Sequence, residues 1–266
     1  PLAPTFLLAG AARSGTTAVA EDLRTHPDVF FTDPKEPHFL ALGERTLDFR
    51  GPGDDQTVNR LSVTDPDAYR GLFRGAGRAA ARGEGSVSTL YYAAESLDRM
   101  RRFAPDATAL VLLRDPVERA YSAHAHELAR GFESLPFEAA LAAEEGRLDG
   151  EEDRIVADPS YRSHAHQHHA YLARGHYADQ LRRLEAVLGR DRIHVVDADH
   201  FFTDPEPVFS EVAAFLGLRP VEGIRFERHN ARPRSRMPDG LRRELRDRLE
   251  AADEDLAQWW GRVPSW

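Results

Sequence analysis

The sequence predicts a single α/β domain over residues 1–266, a central parallel sheet flanked by helices. Two observations carry this. Short apolar runs alternate with longer helix-like runs along the chain, the pattern of strand–helix–strand units. The first apolar run also feeds into a glycine-framed turn that opens a helix, the local signature of an anion-binding loop. At 266 residues, 41% hydrophobic and 30% charged, the chain can bury one substantial core.

The elements follow in order. Residues 5–9 (TFLLA) read as a buried strand and residues 16–26 as the helix after the turn. A second strand covers 29–31. Residues 43–66 are polar, rich in Gly and Asp and poor in periodicity, which reads as a surface loop or lid. A third strand is expected over 78–83, then a helix over 96–103. Residues 108–113 (TALVLL) form the fourth strand. The helix over 116–130 starts with Pro116 in its first turn and stops at Gly131. Helices over 137–145, 177–188 and 207–216 follow, the last two stopped by Gly189 and Gly217. A fifth strand at 192–197 separates them. Pro238 opens the last helix, 238–260. There is no internal repeat and no low-complexity linker.

Charge and composition exclude several classes. The 35 basic and 44 acidic residues give a net charge of −9, which argues against general nucleic-acid binding. No apolar run is long enough to span a bilayer, no secretory signal pattern is read, and there is no cysteine, which together fit a cytoplasmic protein. Lys35 is the only lysine among the basic residues. With Ala, Gly and Asp abundant, that bias suggests a GC-rich bacterial genome, where natural-product tailoring is one use of an enzyme.

The turn after the first strand is Gly10-Ala11-Ala12-Arg13-Ser14-Gly15-Thr16-Thr17. Its glycines have the spacing of G-x-x-x-x-G-K-[ST] and Thr17 fills the hydroxyl place, but Thr16 stands where the lysine belongs. Backbone N–H groups and the helix dipole converge there, and Arg13 adds a forked cation. Without the lysine, the loop suits a smaller anionic tail than a triphosphate. The second strand leads into Lys35-Glu36-Pro37-His38, and the fourth ends in Arg114-Asp115-Pro116, with Ser122 two turns into the next helix. Ligands of open parallel sheets bind beyond the carboxyl ends of the strands, so these groups should face the loop. Arg114 could instead pair with Asp115 or Glu118.

Together these residues resemble the sulfotransferases that use 3′-phosphoadenosine 5′-phosphosulfate (PAPS), in the branch of bacterial sulfotransferases and heparan sulfate sulfotransferase domains. Residues 6–39 resemble the family's 5′-phosphosulfate loop and following acidic motif, and 111–122 (VLLRDPVERAYS) its 3′-phosphate motif. Residues 175–188, 193–218 and 241–266 resemble its later elements and tail. The likeness is weakest over 40–67 and 133–169. It implies a P-loop-NTPase-like sulfotransferase fold and transfer of a sulfuryl group to an acceptor hydroxyl, leaving adenosine 3′,5′-bisphosphate and needing no metal. Arg13, Ser14, Gly15, Thr16 and Thr17 would hold the phosphosulfate, and Arg114 and Ser122 the 3′-phosphate. Arg234, Ser235 and Arg236, with Arg232, look like a shortened version of the family's closing loop. Glu36 falls at the general-base position, and His38 at the histidine that orients or assists. Many relatives carry lysine where Arg13 stands; arginine keeps the charge but does not readily release a proton.

Other residues fit the resemblance in more than one way. Lys35 would hold sulfuryl oxygens or act on Glu36 through its charge. Glu84 lies on the acceptor side as a substrate contact, a base or a helix cap. His124 is read as an acceptor contact, and His124 and His126 are rival bases. The His164–His169 run reads as a solvated helix or a wall of the acceptor pocket rather than a metal site. A P-loop kinase or nucleotide hydrolase, or a non-catalytic nucleotide-binding protein, is the alternative. A small-molecule, carbohydrate or lipid hydroxyl is the expected acceptor, with an amine left open.

Overall fold

A computed structural model describes residues 3–158, 160–221, 223, 224, 226 and 236–266. Five strands, β1 (Phe6–Gly10), β2 (Val29–Phe31), β3 (Ala81–Glu84), β4 (Thr108–Leu113) and β5 (Ile193–Asp197), form one sheet ordered β2-β3-β1-β4-β5. Every pairing is parallel, as the alternating pattern predicts. β3 starts later than expected, because Ala79 donates to Ala76 in a turn before it.

The described helices are α1 (Thr16–Thr25), α2 (Phe39–Leu42), α3 (Val58–Leu61), α4 (Pro66–Gly71), α5 (Ser88–Tyr91), α6 (Ala93–Phe103) and α7 (Pro116–Arg130). They continue with α8 (Phe137–Leu148), α9 (Glu151–Ala157), α10 (His164–His168), α11 (Tyr177–Leu188), α12 (Ala198–Thr203), α13 (Pro205–Phe215) and α14 (Asp239–Trp260). The expected long helices are all present. The short ones escape prediction because four to seven residues do not establish a period. Pro238 caps α14 rather than sitting in its first turn.

The central strands β1 and β4 read as nearly unbroken apolar runs because helices cover both faces. Leu7, Ala9, Val111, Leu113 and Val195 pack beneath α2, α4, α6 and α11. Phe6, Leu8, Leu110, Leu112 and Val196 pack against α1, α12 and α13. A third cluster joins α7, α8 and α14 around Tyr171. Within α7, Arg119 is fully buried and donates to the Tyr171 carbonyl.

Residues 43–66 lie largely at the surface, as their polarity suggests, but a few of them anchor the segment on the body of the fold. Phe49 and Val58 are buried with Leu42 and Tyr92, and Asp54 is fully buried. The Asn59 amide clamps Phe49, accepting its N–H at 3.0 Å and donating to its carbonyl at 2.7 Å. Asn59 is bonded within the segment, whereas Asp48, Arg50, Asp55, Gln56 and Arg60 face water. The histidine run is not a solvated helix. His166 and His168 of α10 are buried, His166 stacked on Tyr91 and His168 on Phe132.

Gly83 has a packing reason. A Cβ built there would lie 2.0 Å from the Phe6 ring, which crosses it from the neighbouring strand. Gly83→Ala is therefore expected to cost about 1–3 kcal/mol, the usual penalty of overpacking a tight core. Urea unfolding measures it; an unchanged midpoint would show that Phe6 can move aside.

Candidate active site

β1 lies between β3 and β4, so the chain leaves it at the point where strand order reverses. The segments beyond the carboxyl ends of β1, β2, β3 and β4 carry the residues singled out from the sequence. They meet around the start of α1.

The α1 N-terminus is open. Its cap, Gly15, makes no side-chain cap hydrogen bond, and Ser14 Oγ is buried with no hydrogen-bond partner. Gly15 is required on two counts. Its φ of 95° is left-handed, and a Cβ would lie 2.4 Å from the Phe202 ring of α12. Arg13 also has a left-handed backbone, φ 69°, as does His38 at 54°. Non-glycine residues avoid that region, and where they occupy it the surroundings enforce a particular side-chain direction.

Arg13 Nε donates to Ser122 Oγ at 3.4 Å, and Arg114 Nη1 donates to the Arg13 carbonyl at 3.4 Å. The phosphosulfate residue and both 3′-phosphate residues of the sequence reading thus stand together. Tyr177 holds this corner, its hydroxyl donating to the Arg114 carbonyl at 2.9 Å. Arg114 is not engaged by its acidic neighbours in the way its sequence position permits. Asp115 caps α7 through the N–H groups of Val117 and Glu118 and pairs with Arg246 of α14 at 2.9 Å. Glu118 pairs with Arg242 of the same helix.

The absent loop lysine has a spatial counterpart. Lys35, reaching back from beyond β2, donates to Thr16 Oγ1 at 3.3 Å, to Glu36 Oε1 at 2.9 Å and to the Gly85 carbonyl at 3.4 Å. Nothing local in the sequence marks this contact. Glu36 keeps about a third of its side chain exposed, 32%, and its Oε2 lies 3.8 Å from His38 Nε2. His38 is pinned by two serines after β3. Its N–H donates to Ser86 Oγ at 2.8 Å, and its Nδ1 lies 2.9 Å from Ser88 Oγ. Burial lowers the His38 pKa, opposed by the Glu36 charge and aided by that of Lys35. The imidazole is therefore neutral near pH 7.

Glu84 sits below this surface. It is 1% exposed; Oε2 accepts the Ser86 N–H at 2.8 Å and Oε1 has no hydrogen-bond partner. Burial pushes its pKa up to about 7, against the pull of the Ser86 bonds. The geometry makes it a support for the Ser86 turn rather than a surface contact.

His124 is not brought to Glu36. It is buried, bonded to the Leu135 carbonyl at 2.8 Å and packed against Phe137 and Tyr171. Two residues beyond Ser122 on α7, it points away from the anion corner. Arg236 is exposed and pairs with Asp239 at 3.0 Å. Arg232, Arg234 and Ser235 lie outside the described residues. A separate cavity of about 470 Å³, walled by Tyr91, Glu144, His166 and Arg183, is lined by none of Arg13, Lys35, Glu36, Arg114 or Ser122.

The family model described as "Sulfotransferase family" matches residues 4–222. The chain belongs to the sulfotransferase family. This sulfotransferase-family chain superposes on the crystal structure of a sulfotransferase from Alicyclobacillus acidocaldarius with a TM-score of 0.77 and 34% identity, covering 97% of this chain and 96% of that one. It is 26% identical to human heparan sulfate glucosamine 3-O-sulfotransferase 6, over 99% of this chain and 73% of the relative. It is 24% identical to human bifunctional heparan sulfate N-deacetylase/N-sulfotransferase 3, over 85% of this chain. Of that relative the chain spans about a quarter, 24%. Among the described residues no helix is long and apolar enough to cross a membrane.

The raised Glu84 pKa sets a pH dependence. Its folded-state value, about 7, exceeds the ordinary 4.5, so the proton stabilises the folded state. That stabilisation is complete below about 4.5 and lost as pH rises through about 7. The stability of wild type relative to Glu84→Gln should fall by on the order of 3 kcal/mol from pH 4.5 to 8. Parallel urea-unfolding pH profiles for the two proteins would refute this.

Proposed function

We propose that the chain is a PAPS-dependent sulfotransferase that sulfates a hydroxyl of a carbohydrate or small-molecule acceptor. One observation carries the reading: two cationic groupings, Arg13–Ser122–Arg114 and Lys35–Glu36–Thr16, flank a helix N-terminus without a side-chain cap. The first suits a phosphate and the second a reacting sulfuryl group next to a carboxylate. The residues fit the donor. The partnerless Ser14 Oγ and the Cβ-free Gly15 form a cradle with the first N–H groups of α1.

Bound PAPS would supply an activated sulfuryl group, whose sulfur gains a bond to the acceptor oxygen and loses its bond to the 5′-phosphate oxygen, which keeps the electron pair. Glu36 takes the acceptor proton as that oxygen attacks. Neutral His38, beside Glu36 Oε2, orients the acceptor hydroxyl toward the carboxylate. Lys35 holds the sulfuryl oxygens, and Arg13 stabilises charge at the departing phosphate, acting as a fixed cation rather than a proton donor. Arg114 and Ser122 grip the 3′-phosphate. The hydroxyl class draws support from the 3-O-sulfotransferase relative, whose name places sulfate on oxygen. The N-sulfotransferase relative makes an amine the competing class.

Calorimetry should detect adenosine 3′,5′-bisphosphate binding without added Mg²⁺; a preference for ATP with Mg²⁺ would favour a kinase instead. Glu36→Gln is expected to lower turnover of labelled PAPS by about 10²–10⁴-fold while nucleotide affinity stays within a few-fold. Unchanged turnover would move the base to another residue. Arg114→Ala should weaken nucleotide binding. A panel of hydroxyl and amine acceptors decides the acceptor class.

A further inference from the structure

A second polar cluster lies outside the candidate active site, where residues 43–66 fold against α7 and α10. Asp54 is fully buried; its Oδ2 accepts the Gly51 N–H at 2.7 Å, but Oδ1 has no hydrogen-bond partner. His168, 7% exposed, has Nδ1 2.9 Å from Glu127 Oε2. Its Nε2 has no hydrogen-bond partner and lies 3.5 Å from Asp54 Oδ1. When Nδ1–H donates to Glu127, Nε2 presents a lone pair. Two acceptors then oppose each other in a desolvated place, an arrangement that costs free energy unless a positive charge lies between them. His164, one turn earlier, brings in a third donor; one atom from each of Asp54, His164 and His168 lies within 4.8 Å of the others.

A proton on His168 would relieve the conflict but would engage only two of the three groups that converge here. A divalent cation uses all three groups. Bonds of about 2.0–2.2 Å from a tetrahedral zinc ion put two ligand atoms about 3.4 Å apart. The Asp54–His168 separation of 3.5 Å already matches. His164, only partly buried, needs a small side-chain rotation to close the set. Two imidazoles and one carboxylate suit zinc. Glu127 stands where a second carboxylate orients a ligating histidine, and Phe132 stacks on the His168 ring at 3.9 Å. His164 also lines a cavity of about 610 Å³, whose wall mixes Asp48 and Asp158 with Arg50 and Arg162. That cavity gives an ion, and a water as fourth ligand, a way in.

We propose that Asp54, His164 and His168 form a Zn²⁺ site, oriented by Glu127, that fastens residues 43–66 to α10 and α7. The ion is structural, and the proposal is independent of the donor and acceptor argued above. The test uses the full chain without an affinity tag, stripped by chelator and dialysed. Calorimetry with ZnCl₂ should give one equivalent, with a higher melting temperature. CoCl₂ should give the visible absorption of a four-coordinate ion. Partly buried His164→Ala, and Asp54→Asn as an independent isosteric change, should each weaken zinc binding at least about tenfold and remove the cobalt absorption. Circular dichroism confirms that each variant is folded. If one variant unfolds, the other decides. If both unfold, wild type without stoichiometric zinc or four-coordinate cobalt overturns the proposal. Binding that is equally strong in either folded variant, or weak and spread over several equivalents, also overturns it.

Discussion

The candidate site depends on where one ammonium group sits. Lys35 touches the first hydroxyl of α1, the carboxylate beside it and the carbonyl that follows β3. Those contacts tie together the exits of three strands, and only a parallel sheet with β1 inside it brings those exits to one edge. A nucleotide P-loop carries its lysine within the loop. Here the charge comes from the segment after β2, with β3 lying between β2 and β1, which leaves Thr16 as a hydroxyl and places the ammonium between the loop and Glu36. In the proposed reaction, a cation so placed would serve the transferred group and the base at once.

The two carboxylates near this edge are set apart by their surroundings. Glu36 is partly exposed, held by a cation and near a neutral imidazole. Glu84 is fully buried, bonded to one backbone N–H, and its pKa is pushed up to about 7. In the proposed mechanism, this divergence would separate the carboxylate that takes the proton from the one that fixes a turn. Ser86 links them physically, since it accepts from the His38 backbone while its own N–H is held by Glu84.

Much of the fold was legible because the central strands β1 and β4 are apolar on both faces and several long helices have stops that act locally. Arg13, Arg114 and Ser122 could be singled out because strand ends are where a parallel sheet exposes groups to a ligand. What escaped was set by contacts between distant segments. Lys35 on Thr16, the serines pinning His38 and the arginines of α14 occupying Asp115 and Glu118 leave no local pattern. Residues 43–66 and the histidine run misled for one reason. Polar composition reads as exposure, whereas Asp54, His166 and His168 are buried with polar neighbours and stacked rings.

Gly15 owes its tight surroundings to Phe202, a ring supplied by α12, late in the chain. The loop follows β1, whereas the ring that walls it belongs to α12, beyond β5. The loop therefore takes its final shape only when that far element has packed against the sheet. Capture of an anion there would report that two segments remote in sequence have docked, tying ligand competence to assembly of the whole sheet.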